Sequence, residues 1–173
     1  MSTACCIVKK LSHVLGRDAI KSAYFAYSHS AIRYGFIFHG NSTNANRVFL
    51  LQKKLRSRDS CREHFKKLKI LPLQSQYMLS LLLFVVGNRS YFKENSDIHN
   101  INTRTKSNLH QPLANLSTYQ KGAYYYGIKV FNSLSSQIKD LSANKNQFRC
   151  ALESFLYSHS FYTLDEYFSY NKY

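Results

Sequence analysis

Apolar positions in this chain recur mostly at intervals of three and four, the period of an α-helix. Cys6, Ile7, Leu11, Val14 and Leu15 follow that period behind a Ser2 or Thr3 cap and stop at Gly16. A second run from Asp18 sets Ile20, Ala23, Tyr24, Tyr27, Ala31 and Tyr34 on one aromatic-rich face, interrupted by Gly35 and again by Gly40. Rings on a periodic face are expected in a core rather than as a platform for bases. Val48, Leu51 and Leu55 then form one stripe, and Cys61, Phe65 and Leu68 another. The step from Leu55 to Cys61 turns a helix by roughly 600°, about 240° past a whole turn, so one straight helix cannot bury both stripes. The chain must therefore break at 57–60, where Ser60 and Glu63 have capping-box spacing and Glu63 and Lys67 make a favourable i,i+4 pair.

Beyond Pro72, residues 73–86 read as a buried helix closed by Gly87 and Asn88. Residues 89–111 lose periodicity and turn to Asn, Ser, Thr, His and Lys, which predicts a long loop with one short extended piece. Tyr124, Tyr125, Ile128, Phe131 and Leu134 return to helical intervals, although Gly122 and Gly127 leave strand open for 119–134. Phe148, Ala151, Leu152, Phe155 and Leu156 predict an amphipathic helix, and Thr163 with Glu166 a capping box for a last short one. The pattern gives a mainly α fold: a small helical bundle with a long polar loop and room for a short β element. Its expected organisation is a helical segment over 1–87, a polar loop or linker over 88–118, and a helical segment over 119–173 that packs on the first.

Charge changes this picture. Lys and Arg number 24 against 9 Asp and Glu, a formal charge of +15. Such an excess favours polyanions through counterion release, with nucleic acid first and an anionic membrane surface exerting the same attraction. Residues 77–86 form the longest apolar stretch, interrupted by Ser80, and reach about half of the ~20 residues that span a bilayer. Ala4 to Val8 is too short for a signal-peptide core, so no membrane or secretory role is expected and the sequons at Asn41, Asn88 and Asn115 read as chance. An intracellular protein is expected, nuclear or cytoplasmic. Cysteines 5, 6, 61 and 150 show no CxxC or CxxH spacing and are expected as reduced, buried thiols.

Candidate chemistry is sparse. A two-metal centre needs clustered carboxylates, and the adjacent acids Asp165 and Glu166 lie in a first helical turn, where the helix dipole explains them. Tyr27-Ser28-His29-Ser30 reappears as Tyr157-Ser158-His159-Ser160, but the flanks differ and neither pair has an orienting third group. His99 and His110 share the polar loop without cysteines at ligand spacing, a weak zinc signal. No catalytic residue, metal site or cofactor is expected. What remains is LLQKKLRSRDSCREHFKKLKI at 50–70, in which Arg62, Lys66 and Lys69 form a helical stripe able to meet successive phosphates. Lys53-Lys54-Leu55-Arg56 also matches a short nuclear-import run. Residues alone leave this stretch open between a phosphate-gripping face and an ordinary solvated one.

Four blocks carry a family resemblance: YFAYSHSAIRYGFIFHGNST, SCREHFKKLKILPLQSQYMLSLL, NSDIHNINTRTKSNLHQPLANLSTYQKGAYYYGIKVFNSL and FYTLDEY. Together and in order they resemble the carboxyl-terminal end of jockey-like non-LTR retrotransposon reverse transcriptases of arthropods. The resemblance covers nearly the whole chain. It implies a region after the catalytic palm, the end of the thumb and a terminal domain, which helps to grip template RNA and target DNA. It makes 1–87 thumb-like, with Met1 inside the thumb segment. The family's aspartate pair in a Tyr/Phe-Ala-Asp-Asp motif does not occur in the sequence, and its endonuclease belongs further upstream, so neither reverse transcriptase nor nuclease activity is expected.

By this resemblance Lys53, Lys54, Arg56, Arg58, Arg62, Lys66 and Lys69 are expected as phosphate contacts in weak, sequence-independent binding to an RNA or DNA backbone. The alternatives are an interaction or assembly module that packs on the polymerase body of a related element, and a decayed reading frame. Three departures from the family bear on the last. Roughly ten residues between Leu55 and the segment from Arg58 to Arg62 are missing, His39 replaces a usual Trp, and Ser135 stands where Leu-Pro is usual after Asn132. Loss of a large buried ring typically costs several kcal/mol.

Overall fold

The computed structural model describes Lys10 and residues 16–30, 36–40, 62–99 and 106–170. The first helix, the 48–55 stripe, the break at 57–60 with its Ser60 cap, and Cys5, Cys6 and Cys61 lie outside these residues, as does the side chain of His39. The described chain is mainly α-helical. In chain order it forms α1 (Arg17–Ala23), α2 (Phe36–His39), α3 (Arg62–Leu68), α4 (Leu73–Gly87), α5 (Asn95–Ile98), α6 (Ser117–Gln120), α7 (Ala123–Asn132), α8 (Ser136–Asp140), α9 (Lys145–His159) and α10 (Leu164–Tyr170).

Everything is built around α4. It is apolar on nearly every side, and Leu73, Tyr77, Met78, Leu81, Leu82 and Val85 are all buried to within 1%. A helix of that kind needs neighbours all round. It finds them in α7, α9 and α2. Among its polar groups, the buried Ser75 hydroxyl donates to the Phe161 carbonyl at 3.1 Å. Asn88 stops the helix as its sequence predicts, with its backbone N–H and its side-chain amide both donating to the Phe84 carbonyl.

Residues 123–132 are helix and not strand. Gly127 is the reason that α7 can lie so close to α4, because a Cβ built there would stand 2.8 Å from Val85 Cγ2. Gly122 sits at the N-cap position of α7, outside the helix proper. α9 is capped by Asn144, whose side-chain oxygen accepts from the backbone N–H groups of Asn146 and Gln147, and it buries Phe148, Leu152 and Leu156. Cys150, two positions past Phe148, falls on the opposite face. It is a free, exposed thiol, not the buried one that was expected. At α10 the Thr163 hydroxyl accepts from the Glu166 N–H as the capping box predicts, while the Glu166 carboxylate reaches one residue further back, to the Tyr162 N–H. The Tyr167 hydroxyl donates to the Val130 carbonyl and ties α10 to α7.

The expected aromatic face of the second helix is only partly inward. After α1 the chain loosens into a π-helical segment, Tyr24–His29, which widens the turn and changes which residues share a face. Tyr24 is buried with Phe65 and Ile70, whereas Tyr27 is 55% exposed. This smaller cluster, with Phe25 and Tyr162 against it, joins the amino-terminal segment to α3 and to the corner between α9 and α10.

The polar loop is pinned to the bundle. Its extended piece is an isolated antiparallel bridge, Glu94 to Leu109, flanked by backbone hydrogen bonds from Asn95 to Asn108 and from His110 to Lys93. No strand forms among the described residues. Leu109 is buried, and the Asn132 amide both donates to its carbonyl at 2.8 Å and accepts from its N–H at 2.9 Å. Lys139 adds bonds to the Asn132 carbonyl and to Asn108, and burial pushes its pKa down against the raising effect of Asp140.

Candidate nucleic-acid interface

Of the seven cations nominated as phosphate contacts, Arg62, Lys66 and Lys69 lie among the described residues; Lys53, Lys54, Arg56 and Arg58 lie outside them. The expected stripe along α3 is bent. The helix ends at Leu68, and Lys69 adopts φ +50°. The Lys69 N–H donates to the Lys66 carbonyl and the Ile70 N–H to that of Phe65, so the chain turns back in a Schellman motif with buried Phe65 and Ile70 as its apolar contact. That reversal leaves Leu68 40% exposed instead of on the expected buried stripe. It also spreads Lys66, Lys67 and Lys69, all exposed, around the end of the helix.

Arg62 has a different role from the lysines. Its Nη2 meets Glu166 Oε1 at 2.6 Å, and its guanidinium lies 4.6 Å from the centre of the Tyr162 ring. It fastens α3 to the start of α10. A guanidinium carries five donors, so this pair does not exhaust its capacity for a phosphate oxygen. Arg89 pairs in the same way with Glu94 at 2.7 Å and Arg149 with Glu153 at 2.9 Å. Among the described residues, then, arginines pair with three of the four glutamates, and exposed positive charge falls to lysines: Lys10, Lys66, Lys67, Lys69, Lys93, Lys106, Lys121, Lys129 and Lys145. Lysine is a flexible point charge suited to backbone attraction rather than to bidentate reading of base edges.

Beside Arg62 is an open cleft of about 530 Å³ lined by Arg62, His159, Phe161, Glu166, Ser169 and Tyr170. Its ring wall belongs to an aromatic cluster at the carboxyl end of α9. His159 lies parallel to Phe161 at 5.4 Å between centroids, and Tyr170 is 4.4 Å from His159 with the planes tilted by 58°. Arg62 and Glu166 are 104 positions apart. No local pattern announces that pairing, and the one trace in the sequence is the capping box that places Glu166 at the start of α10.

The other nominated groups resolve simply. His159 Nδ1 lies 2.8 Å from the Phe155 carbonyl, which can only accept, so Nδ1 carries the hydrogen. Ser158 Oγ, also 2.8 Å from that nitrogen, donates its own hydrogen to the same carbonyl and has no base beside it. The rings of His99 and His110 are brought within 5.5 Å by the loop bridge. Among the described residues, no three of His, Cys, Asp and Glu gather as a metal site, and no helix is long and apolar enough to cross a membrane. Comparison of the chain with protein-family models, with curated proteins and with solved structures finds no match.

Proposed function

We propose that this chain is a non-catalytic, nucleic-acid-gripping region of the kind that ends jockey-like reverse transcriptases, and that it holds RNA or DNA weakly and without sequence preference. The observation that carries the reading is the lysine cluster at the end of α3, exposed and, among the described residues, outside the three ion pairs, in a chain of formal charge +15. Lysines at a helix end contact backbone phosphates and carry no base code. Its four-block resemblance supplies the polymerase setting. Anisotropy titrations of labelled duplex against salt test it: log K falls by about 0.9 per phosphate neutralised, and Lys66→Ala and Lys69→Ala each shallow that slope by close to one contact. An affinity that stays flat from low to moderate salt removes the proposal.

A second reading is favoured by a specific surface. Leu113 is fully exposed, Leu116 is 74% exposed and Tyr119 49%, all within eight positions of one another. Such a group is what an interaction module would lay against the polymerase body of a related element. Capture of such a body, with no retention on heparin, would favour this reading over the first.

A further inference from the structure

We propose that the cleft beside Arg62 takes one unpaired base, so that the chain prefers single-stranded to duplex nucleic acid. This rests on the backbone-gripping reading above and adds to it a base-stacking step that lysines alone cannot supply. Tyr170 closes a four-ring cluster with Phe155, His159 and Phe161, yet stays 52% exposed while Phe161 is 2% exposed. Its tilt against His159 leaves the phenol ring without a stacked partner there, and a half-exposed ring at the mouth of a cleft is a surface on which a base can stack.

The other lining groups fit the edge of that base. Ser169 donates or accepts, the Glu166 carboxylate accepts, and the Arg62 guanidinium donates. A bare phosphate suits this lining poorly because Glu166 lies within it, and an apolar peptide side chain would strand its charges. A planar group with donors and acceptors on its rim, on a polyanionic backbone, matches both rings and charge. Lys66 stands one helical turn from Arg62, close enough to hold the adjoining phosphate.

The test uses a single-stranded oligonucleotide with one 2-aminopurine, its blunt duplex, and the full chain. Tyr170→Leu keeps apolar contact with Phe155 and Phe161 but removes the stacking ring, and Tyr170→Phe keeps both. Wild type and Tyr170→Phe are expected to quench 2-aminopurine on binding. Tyr170→Leu is expected to lose the quench and about fivefold to a hundredfold of single-strand affinity, with duplex affinity unchanged. If Tyr170→Leu binds single strands as tightly as wild type while Lys66→Ala and Lys69→Ala weaken both polymers, the base site is overturned and the backbone reading stands. If no oligonucleotide binds at low salt, both fall.

Discussion

Lys69 holds a left-handed backbone that a glycine would adopt without steric cost, and it does so at an exposed position whose side chain makes no compensating burial. The conformation costs a non-glycine residue roughly 1 kcal/mol or somewhat more. Lys69→Gly should therefore stabilise the fold by about 1 kcal/mol, raising Tm by ~2–4 °C in a chain of this size. A thermal melt checks it, and an unchanged or lower Tm contradicts the Schellman assignment. The same substitution removes one proposed phosphate contact, so stability and nucleic-acid affinity should move in opposite directions. Ser160 has a comparable φ of +51°, but it is buried and its hydroxyl donates to the Tyr157 carbonyl, so glycine there loses a hydrogen bond as it relieves the backbone.

At the scale of elements, the contact of α7 on α4 turns on Gly127. Helix propensity alone would reward Gly127→Ala by about 1 kcal/mol, yet the new methyl meets Val85 Cγ2 at 2.8 Å and overpacking of this kind costs roughly 1–3 kcal/mol. A net loss of about 1 kcal/mol is expected in urea unfolding. Val85→Ala should absorb part of it, leaving a non-additive double mutant. This helix shows what pattern reading could and could not reach. The period of Ile128, Phe131 and Leu134 is local and was legible, whereas the need for a missing side chain at 127 depends on a neighbour some forty positions earlier. For the same reason the helix of 73–86, its Asn88 stop and the capping at Thr163 could be read from sequence, each being set within one or two turns. The π-helical shift that turns Tyr27 outward, the Asn132 clamp on Leu109 and the Arg62 to Glu166 tie could not. Of the expected phosphate stripe, the exposed lysines were legible from composition, but the bend at Lys69 was hidden because a lysine occupies the place where glycine would have signalled a helix end.

For the molecule as a whole, alkaline pH probes the core directly. Burial pushes the Tyr77 and Tyr167 hydroxyls well above their ordinary range, and burial with the nearby Asp165 carboxylate pushes Tyr126 up to about 12. A group whose folded pKa is raised contributes fully below its unfolded value, near 10, and loses that contribution as pH climbs towards the folded value. Lys139, lowered by burial, acts with the opposite sign up to its unfolded value near 10.5. Three tyrosines outweigh one lysine. Urea midpoints should hold to about pH 10 and then fall, the buried Tyr77 and Tyr167 each removing up to about 1.4 kcal/mol per pH unit and the half-buried, solvent-screened Tyr126 less. A midpoint that is level to pH 11 would contradict the burial of these hydroxyls. The all-round apolar character of α4 also has a bearing on how the polypeptide is born. Its last residue leaves the ribosome 72 positions before the end of α9, the helix that completes its shelter. At ~5–20 residues per second that interval is roughly 4–14 s, during which its fifteen largely greasy residues lack the cover that α9 supplies. Nascent chains stalled in that window are where chaperone capture or clumping should concentrate.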